Sequence, residues 1–273
     1  MRLCRHMCIL VLLLSPCCLG ARAFRVRQLG DPTAHVWGTD EFEVTVTPLG
    51  LVRHIRVGGE ELVWQGVSLY TFPYASATGD PIRTVQGEGY GDRGLSIIRP
   101  EMSHRDVDGT HVWEFDHQVA AKAVLDGQPL CRVHQRVSVT PTGEIDVTYD
   151  CEWLETLRWS SFMVLILFDK AACQGKSFLA LETEDLVHVG LLDSSTPGQG
   201  GQRIRNVAFK QLSIRPAPGP FHVLWTEPAD CSFHWTSSLE LRVAPRGLPR
   251  HGPIPKGHRA RIGYRFLLPV SQE

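Results

Sequence analysis

Apolar and polar residues alternate with a period of two along most of this chain. The alternation is plain in Glu41-Phe42-Glu43-Val44-Thr45-Val46-Thr47, in Leu51-Val52-Arg53-His54-Ile55-Arg56-Val57 and in Glu61-Leu62-Val63-Trp64. Successive side chains of a strand point to opposite faces, so such runs, rich in Val, Ile, Thr and Trp, predict strands with one face buried. Further strands are predicted over 133–139, 145–153, 161–168, 177–182, 205–215, 221–226, 239–244 and 259–268. Turn chemistry separates them at Pro48-Leu49-Gly50, Gly58-Gly59, Asp108-Gly109, Asp126-Gly127 and Thr142-Gly143. The segments 74–99, with its many glycines, and 194–203 read as loops. No segment shows the helical period over an ordinary helix length, and no fixed-period repeat points to a propeller or solenoid. The expected fold is all-β, a large two-sheet antiparallel β-sandwich forming a single domain over residues 24–273.

The N-terminus adds a compartment. Arg2 and Arg5 precede the apolar run Cys8-Ile9-Leu10-Val11-Leu12-Leu13-Leu14, and Ala21-Arg22-Ala23 supplies a small-x-small cleavage pattern. Residues 1–23 therefore read as a signal peptide, and the protein as secreted or periplasmic. The run falls short of the roughly 20 apolar residues that span a bilayer, and no later segment reaches that length, so no transmembrane segment is expected. Leu14-Ser15-Pro16-Cys17 also resembles a bacterial lipobox, although Pro16 departs from that pattern; a lipid anchor at Cys17 is the alternative to ordinary cleavage.

Charge narrows the partners. The chain carries 28 Lys+Arg against 29 Asp+Glu. Cleavage removes Arg2, Arg5 and Arg22 and no acid, so the remaining chain is mildly acidic and nucleic acid is not an expected partner. The basic stretch 242–261 reads as solvated surface. Outside the leader stand Cys131, Cys151, Cys173 and Cys231, enough for two disulfides in an oxidising compartment, with buried free thiols as the alternative. If Thr140 pairs with Glu144, Cys131 falls opposite Trp153 and Cys151 opposite Val133. The two sulfurs are then diagonal neighbours, too far apart for a bond without a register shift. No CxxC spacing offers a structural zinc site, and neither a metal nor a cofactor is expected.

Two stretches carry a family resemblance. Val44-Thr45-Val46-Thr47-Pro48-Leu49-Gly50-Leu51-Val52-Arg53-His54-Ile55-Arg56-Val57-Gly58-Gly59-Glu60-Glu61-Leu62-Val63 resembles the first hairpin of galactose-mutarotase-like supersandwich domains, which run strand, glycine turn, strand, then G-x-E-L. Ile254-Pro255-Lys256-Gly257-His258-Arg259-Ala260-Arg261-Ile262-Gly263-Tyr264-Arg265-Phe266 is similar to their closing strand after a Pro-x-Gly turn. The resemblance implies a supersandwich and a carbohydrate partner, since the superfamily includes aldose epimerases, polysaccharide-lyase domains and non-catalytic domains of glycoside hydrolases. Aldose epimerases carry Asn-His followed by an aromatic on a central strand. This chain has no Asn-His, and Asn206 is its only asparagine, so the epimerase acid and base do not map onto it.

Local patterning supplies the candidate site residues. A type I′ turn at Asp108-Gly109 pairs Val107 with Thr110, Asp106 with His111 and His104 with Trp113. His104, Asp106, His111, Trp113, Phe115 and His117 then share one face, which offers imidazoles for acid–base chemistry and Trp113 as a platform for a sugar ring. The bland alternative is that Trp113 and Phe115 enter the core and the imidazoles cap its edge. In Trp153-Leu154-Glu155-Thr156-Leu157-Arg158-Trp159, Arg158 is placed to clamp a sugar carboxylate while Trp159 stacks, or the tryptophans are core residues where the chain crosses between sheets. The glycine-rich Gln86-Gly87-Glu88-Gly89-Tyr90-Gly91-Asp92-Arg93-Gly94 lacks the lysine and the strand-to-helix setting of a phosphate loop. The candidates are therefore His104, His111, His117, Tyr70 and Tyr90 for catalysis, and Trp113, Trp159, Arg158 and Asp106 for carbohydrate. The function expected is a secreted carbohydrate-binding protein acting in or beside polysaccharide processing. The alternatives are a polysaccharide lyase or other carbohydrate-active enzyme, and a non-catalytic envelope protein.

Overall fold

The computed structural model describes residues 25–28, 35–73, 96–120, 129–182, 186–192, 203–216, 219–235, 239–246, 248 and 253–270. The signal peptide expected at 1–23, the glycine-rich segment around Tyr90, the turn expected at Asp126-Gly127 and, of the loop expected at 194–203, all but Arg203 lie outside them.

Two antiparallel sheets make up the described structure. The first, of ten strands, starts with β1 (Arg25–Gln28), β2 (His35–Gly38), β3 (Phe42–Val46), β4 (Val52–Val57) and β5 (Glu60–Pro73) side by side. It continues through β10 (Leu157–Phe168), β17 (Leu239–Pro245), β16 (Ala229–Trp235) and β13 (Arg203–Val207), with β18 (Pro253–Ile254) paired to β10. The second, of nine strands, runs in the order β12 (Val187–Leu191), β11 (Ser177–Glu182), β14 (Phe209–Ile214), β15 (Phe221–Trp225), β19 (Arg259–Leu267), β9 (Glu144–Trp153), β8 (Cys131–Val139), β7 (Thr110–Ala120) and β6 (Ser96–Val107). The one helix among the described residues, α1 (Lys170–Cys173), is a single turn capped by Asp169, whose Oδ1 accepts from the Ala172 amide at 2.7 Å.

The expected sandwich is present, and its alternation is legible strand by strand. In β9, Ile145, Val147, Tyr149, Cys151 and Trp153 are buried while the residues between them are not. They meet the inner face of the first sheet, where Val44, Val46, Val52, Ile55, Val164 and Ile166 are likewise buried, in one continuous core. Gln135 is the polar tie between the sheets. Its Nε2 donates to the Gly50 carbonyl at 2.6 Å and to Tyr149 Oη at 3.2 Å. Gly50 has φ +80°, and a Cβ there would lie 2.2 Å from Gln135 Oε1, so both backbone conformation and space require glycine.

Several sequence expectations are corrected or extended. The single strand expected over 205–215 is two, because the chain leaves the ten-stranded sheet after β13 and enters the nine-stranded sheet at β14 across Ala208. The expected loop ends earlier than 99, since Ser96 opens β6. The β8–β9 register is as derived, with Cys131 opposite Trp153 and Val133 opposite Cys151. Cys131, Cys151, Cys173 and Cys231, the cysteines among the described residues, are buried thiols outside any disulfide. Burial pushes the Cys173 thiol up to about 12 and the Cys231 thiol well above its ordinary value, which leaves both unreactive near neutrality.

Candidate functional site

The β6–β7 hairpin has the register expected from its turn: His104 faces Trp113, Asp106 faces His111 and Val107 faces Thr110. Positive φ at Asp108 (51°) and Gly109 (78°) makes the turn type I′. The shared face exists, but its β7 half points into the sandwich while His104 and Asp106 on β6 remain exposed. Trp113 is 3% exposed and Phe115 1% exposed, with His117 buried beside them. Trp37 of β2, from the opposite sheet, closes over the cluster, edge-on to Trp113 at 4.8 Å and tilted against His104 and His111 at 4.8 and 4.7 Å. Trp113 thus has no open ring face on which a sugar could stack, which corrects its assignment as a platform. A face with two large aromatics gains most by burial, and His111 and His117 follow it in, whereas His104 and Asp106 on β6 stay exposed.

Inside this cluster His104 Nε2 and His111 Nδ1 share a 3.0 Å hydrogen bond between nearly parallel rings. One ring must donate and the other accept, so the pair cannot hold the bond with both rings charged. Burial lowers the His111 pKa, opposed by Asp106, and it lowers that of His117 to about 4, opposed by Asp116. His117 is a neutral core histidine at physiological pH, not a titrating catalyst. Asp106 Oδ1 accepts from the Gly109 amide at 2.9 Å and so serves the turn. Of the remaining candidates, Tyr90 lies outside the described residues. The backbone of Tyr70 is in β5 and that of Arg158 and Trp159 in β10, with their side chains outside the description. Trp153, completely buried, sits where the chain crosses from the nine-stranded to the ten-stranded sheet.

The opposite face of the same sheet is where polar side chains meet solvent. Its central strands read basic, acidic, basic: Arg132, His134 and Arg136 on β8; Asp146, Thr148, Asp150 and Glu152 on β9; Arg259, Arg261 and Arg265 on β19. Register sets these rows side by side, Arg132 beside Glu152 beside Arg259, and His134 beside Asp150 beside Arg261. A groove of about 410 Å³ opens among them, lined by Arg132, His134, Asp150, Glu152, Arg259 and Arg261, with Cys151 and Ala260 completing its wall. His134 Nδ1 is 2.9 Å from Asp116 Oδ1 on β7, and its Nε2 makes no hydrogen bond among the described residues. A second recess of about 540 Å³ lies on the other sheet around residues 38–43, but its Arg56 is already paired with Glu61 at 3.3 Å and Glu43 at 3.9 Å. Among the described residues, no three His, Cys, Asp or Glu side chains converge as metal ligands.

Sequence reasoning missed the groove. Its signal was the polar half of the alternation in 132–136, 146–152 and 259–265, which changes sign from one strand to the next. Arg259 and Arg261 belong to the stretch read as solvated surface. They join β8 and β9 only through a strand pairing more than a hundred residues apart in sequence.

With this geometry in place, comparison with solved structures identifies the architecture. A galactose 1-epimerase from Lactobacillus acidophilus NCFM superposes with a TM-score of 0.54 at 6% identity, covering 89% of this chain and 97% of that one. A GalM/aldose epimerase homologue from C. elegans superposes with a TM-score of 0.52 at 8% identity, covering 89% of this chain and 98% of that one. The fold is galactose-mutarotase-like. No family model matches the sequence, and no curated relative does either. Identities this low carry the mutarotase-like fold and none of its chemistry, which must come from the residues of this chain.

Proposed function

We propose that this protein is a secreted carbohydrate-binding protein that takes its saccharide in the groove formed by β8, β9 and β19. The observation that carries the reading is the composition of the groove: planar donors and planar acceptors alternate across three adjacent strands and face solvent. A pyranose presents neighbouring hydroxyls that each donate and accept. A carboxylate or a guanidinium presents two coplanar hydrogen-bonding sites that match such a pair of hydroxyls, and strand pairing repeats these groups roughly 4.8 Å apart. The fold of two epimerase structures that handle sugars supports the same class of ligand, and the leader at 1–23 supports export.

The experiment is retention of the purified protein on a panel of neutral, uronic-acid and sulfated polysaccharides, with product masses read from the same incubations. Retention that falls at least about tenfold in Arg261→Ala, with an unchanged melting temperature, supports the reading. Absence of retention on every polymer of the panel overturns it.

A second reading, catalysis in the same groove, is favoured by one pair. Asp116 accepts from His134 Nδ1–H, which orients the ring and leaves Nε2 to accept a proton, the usual arrangement of a general base and its orienting carboxylate. Shortened or unsaturated saccharides in the incubation would establish it.

A further inference from the structure

Five arginines on the outer face of the nine-stranded sheet fall into two kinds. Arg265 is closed on Asp146 as a two-pronged fork at 2.6 and 3.0 Å, and Arg105 on Glu114 at 2.8 and 2.8 Å. Each of these guanidiniums has spent its paired donors on one carboxylate.

The three arginines that line the groove are different. Arg132 stands 3.6 Å from Glu152, Arg259 stands 3.7 Å from the other oxygen of the same Glu152, and Arg261 stands 3.4 Å from Asp150 and 3.3 Å from Glu227. None of these contacts is a fork, all are longer than a charge-assisted hydrogen bond of roughly 2.7–2.9 Å, and one carboxylate serves two guanidiniums. The side chains of Arg132, Arg259 and Arg261 are 59%, 79% and 53% exposed. Three guanidiniums with unspent forks therefore surround a groove that has only Asp150 and Glu152 as lining acids, with His134 a further donor when protonated.

We infer that the groove selects an anionic saccharide, its carboxylate or sulfate held by the forks of Arg132, Arg259 and Arg261 while Asp150 and Glu152 accept from hydroxyls. The inference rests on the carbohydrate reading and adds the class of sugar. Strand spacing places the Cα atoms of Arg132 and Arg259 roughly 10 Å apart across Glu152, with Arg261 two residues further along β19, so more than one sugar unit is within reach.

The test is calorimetric titration of the purified protein with a galacturonate tetramer, a sulfated galactan oligomer, the neutral galactose tetramer and inorganic sulfate. The acidic oligomers are expected to bind at least about tenfold more tightly than the neutral one. That advantage should shrink as salt rises from about 0.05 to about 0.5 M, because exposed charges are screened. Arg132→Gln and Arg261→Gln should each remove most of the advantage. Arg105→Gln, which deletes an equally exposed charge already locked on Glu114, should change affinity less than about twofold. Carboxylated and sulfated arms tell which anion is preferred. Equal or tighter binding of the neutral tetramer overturns the inference and leaves the carbohydrate reading standing. Inorganic sulfate binding as tightly as the oligomers overturns the inference, since the groove would then hold an anion without the sugar. Binding of none of the four overturns the inference, and failure across the wider panel overturns the carbohydrate reading with it.

Discussion

His134 Nδ1 lies 2.9 Å from Asp116 Oδ1, across the β7–β8 pair and on the solvent face of the nine-stranded sheet. The same strands carry His117 and Trp113 on the opposite face, sealed in the core. One sheet thus holds imidazoles in opposite environments, and the outer one, His134, lines the groove.

If the groove turns over its ligand, Asp116→Asn should lower the rate on the order of a hundredfold, because the amide no longer stabilises an imidazolium as it forms. Binding, which does not need that charge, should change less than about threefold. Initial rates and titrations on the same variant separate the two. Turnover that survives His134→Ala would remove the residue from the chemistry.

Buried neutral histidine makes stability depend on pH. The folded-state pKa of His117 is about 4 against an ordinary 6.5, so the unfolded chain binds the proton more readily. The contribution is fully present above pH 6.5 and is lost progressively as pH falls toward 4, reaching about 3 kcal/mol at most. His111 adds to it in the same direction. Chemical denaturation at about pH 7.5 and about pH 4.5 should show this loss, and His117→Leu should flatten it. An unchanged slope in that variant would place the acid sensitivity elsewhere.

Gln135 and Gly50 tie the sheets together, and they can be tested separately. Gln135→Ala leaves a buried carbonyl without its donor and should cost about 1–3 kcal/mol. Gly50→Ala adds a left-handed backbone penalty of about 1–2 kcal/mol to the clash with Gln135. Urea unfolding of both variants and of the double variant should show less than the sum of the single losses, since the two share one contact.

Among the described residues β12 is an edge strand; it exposes Val187, Val189 and Leu191 at 44%, 70% and 60%, beside Leu179 of β11, and it carries neither lysine nor proline. Open edges of this kind template association. Val189→Lys should raise the concentration at which the protein stays monomeric, as read by light scattering, without lowering the melting temperature by more than about 2 °C.

Local pairing was the legible part of this molecule. The Asp108-Gly109 turn fixed the hairpin register to the residue, and the Thr140–Glu144 turn did the same for β8 and β9, because a tight turn leaves one register open. Which face of β7 is buried was harder, since His111 and His117 accompany Trp113 on it and imidazoles suit either side. The switch of sheet at Ala208 left no break in the alternation, so β13 and β14 read as one strand. The groove depended on β19 lying beside β9, a contact between distant segments that patterning cannot supply. Arg259 and Arg261 were visible as charges, and only tertiary structure gave them neighbours.

Saccharide retention by the unaltered protein, Arg261→Ala and His104→Ala, run side by side on the same panel, tests the central claim most directly. Both substituted side chains are exposed and both belong to the nine-stranded sheet, one in the groove and one at the hairpin. The account predicts that Arg261→Ala loses at least about tenfold in retention while His104→Ala keeps it. Retention lost in His104→Ala and kept in Arg261→Ala would contradict the account and move the site to the hairpin.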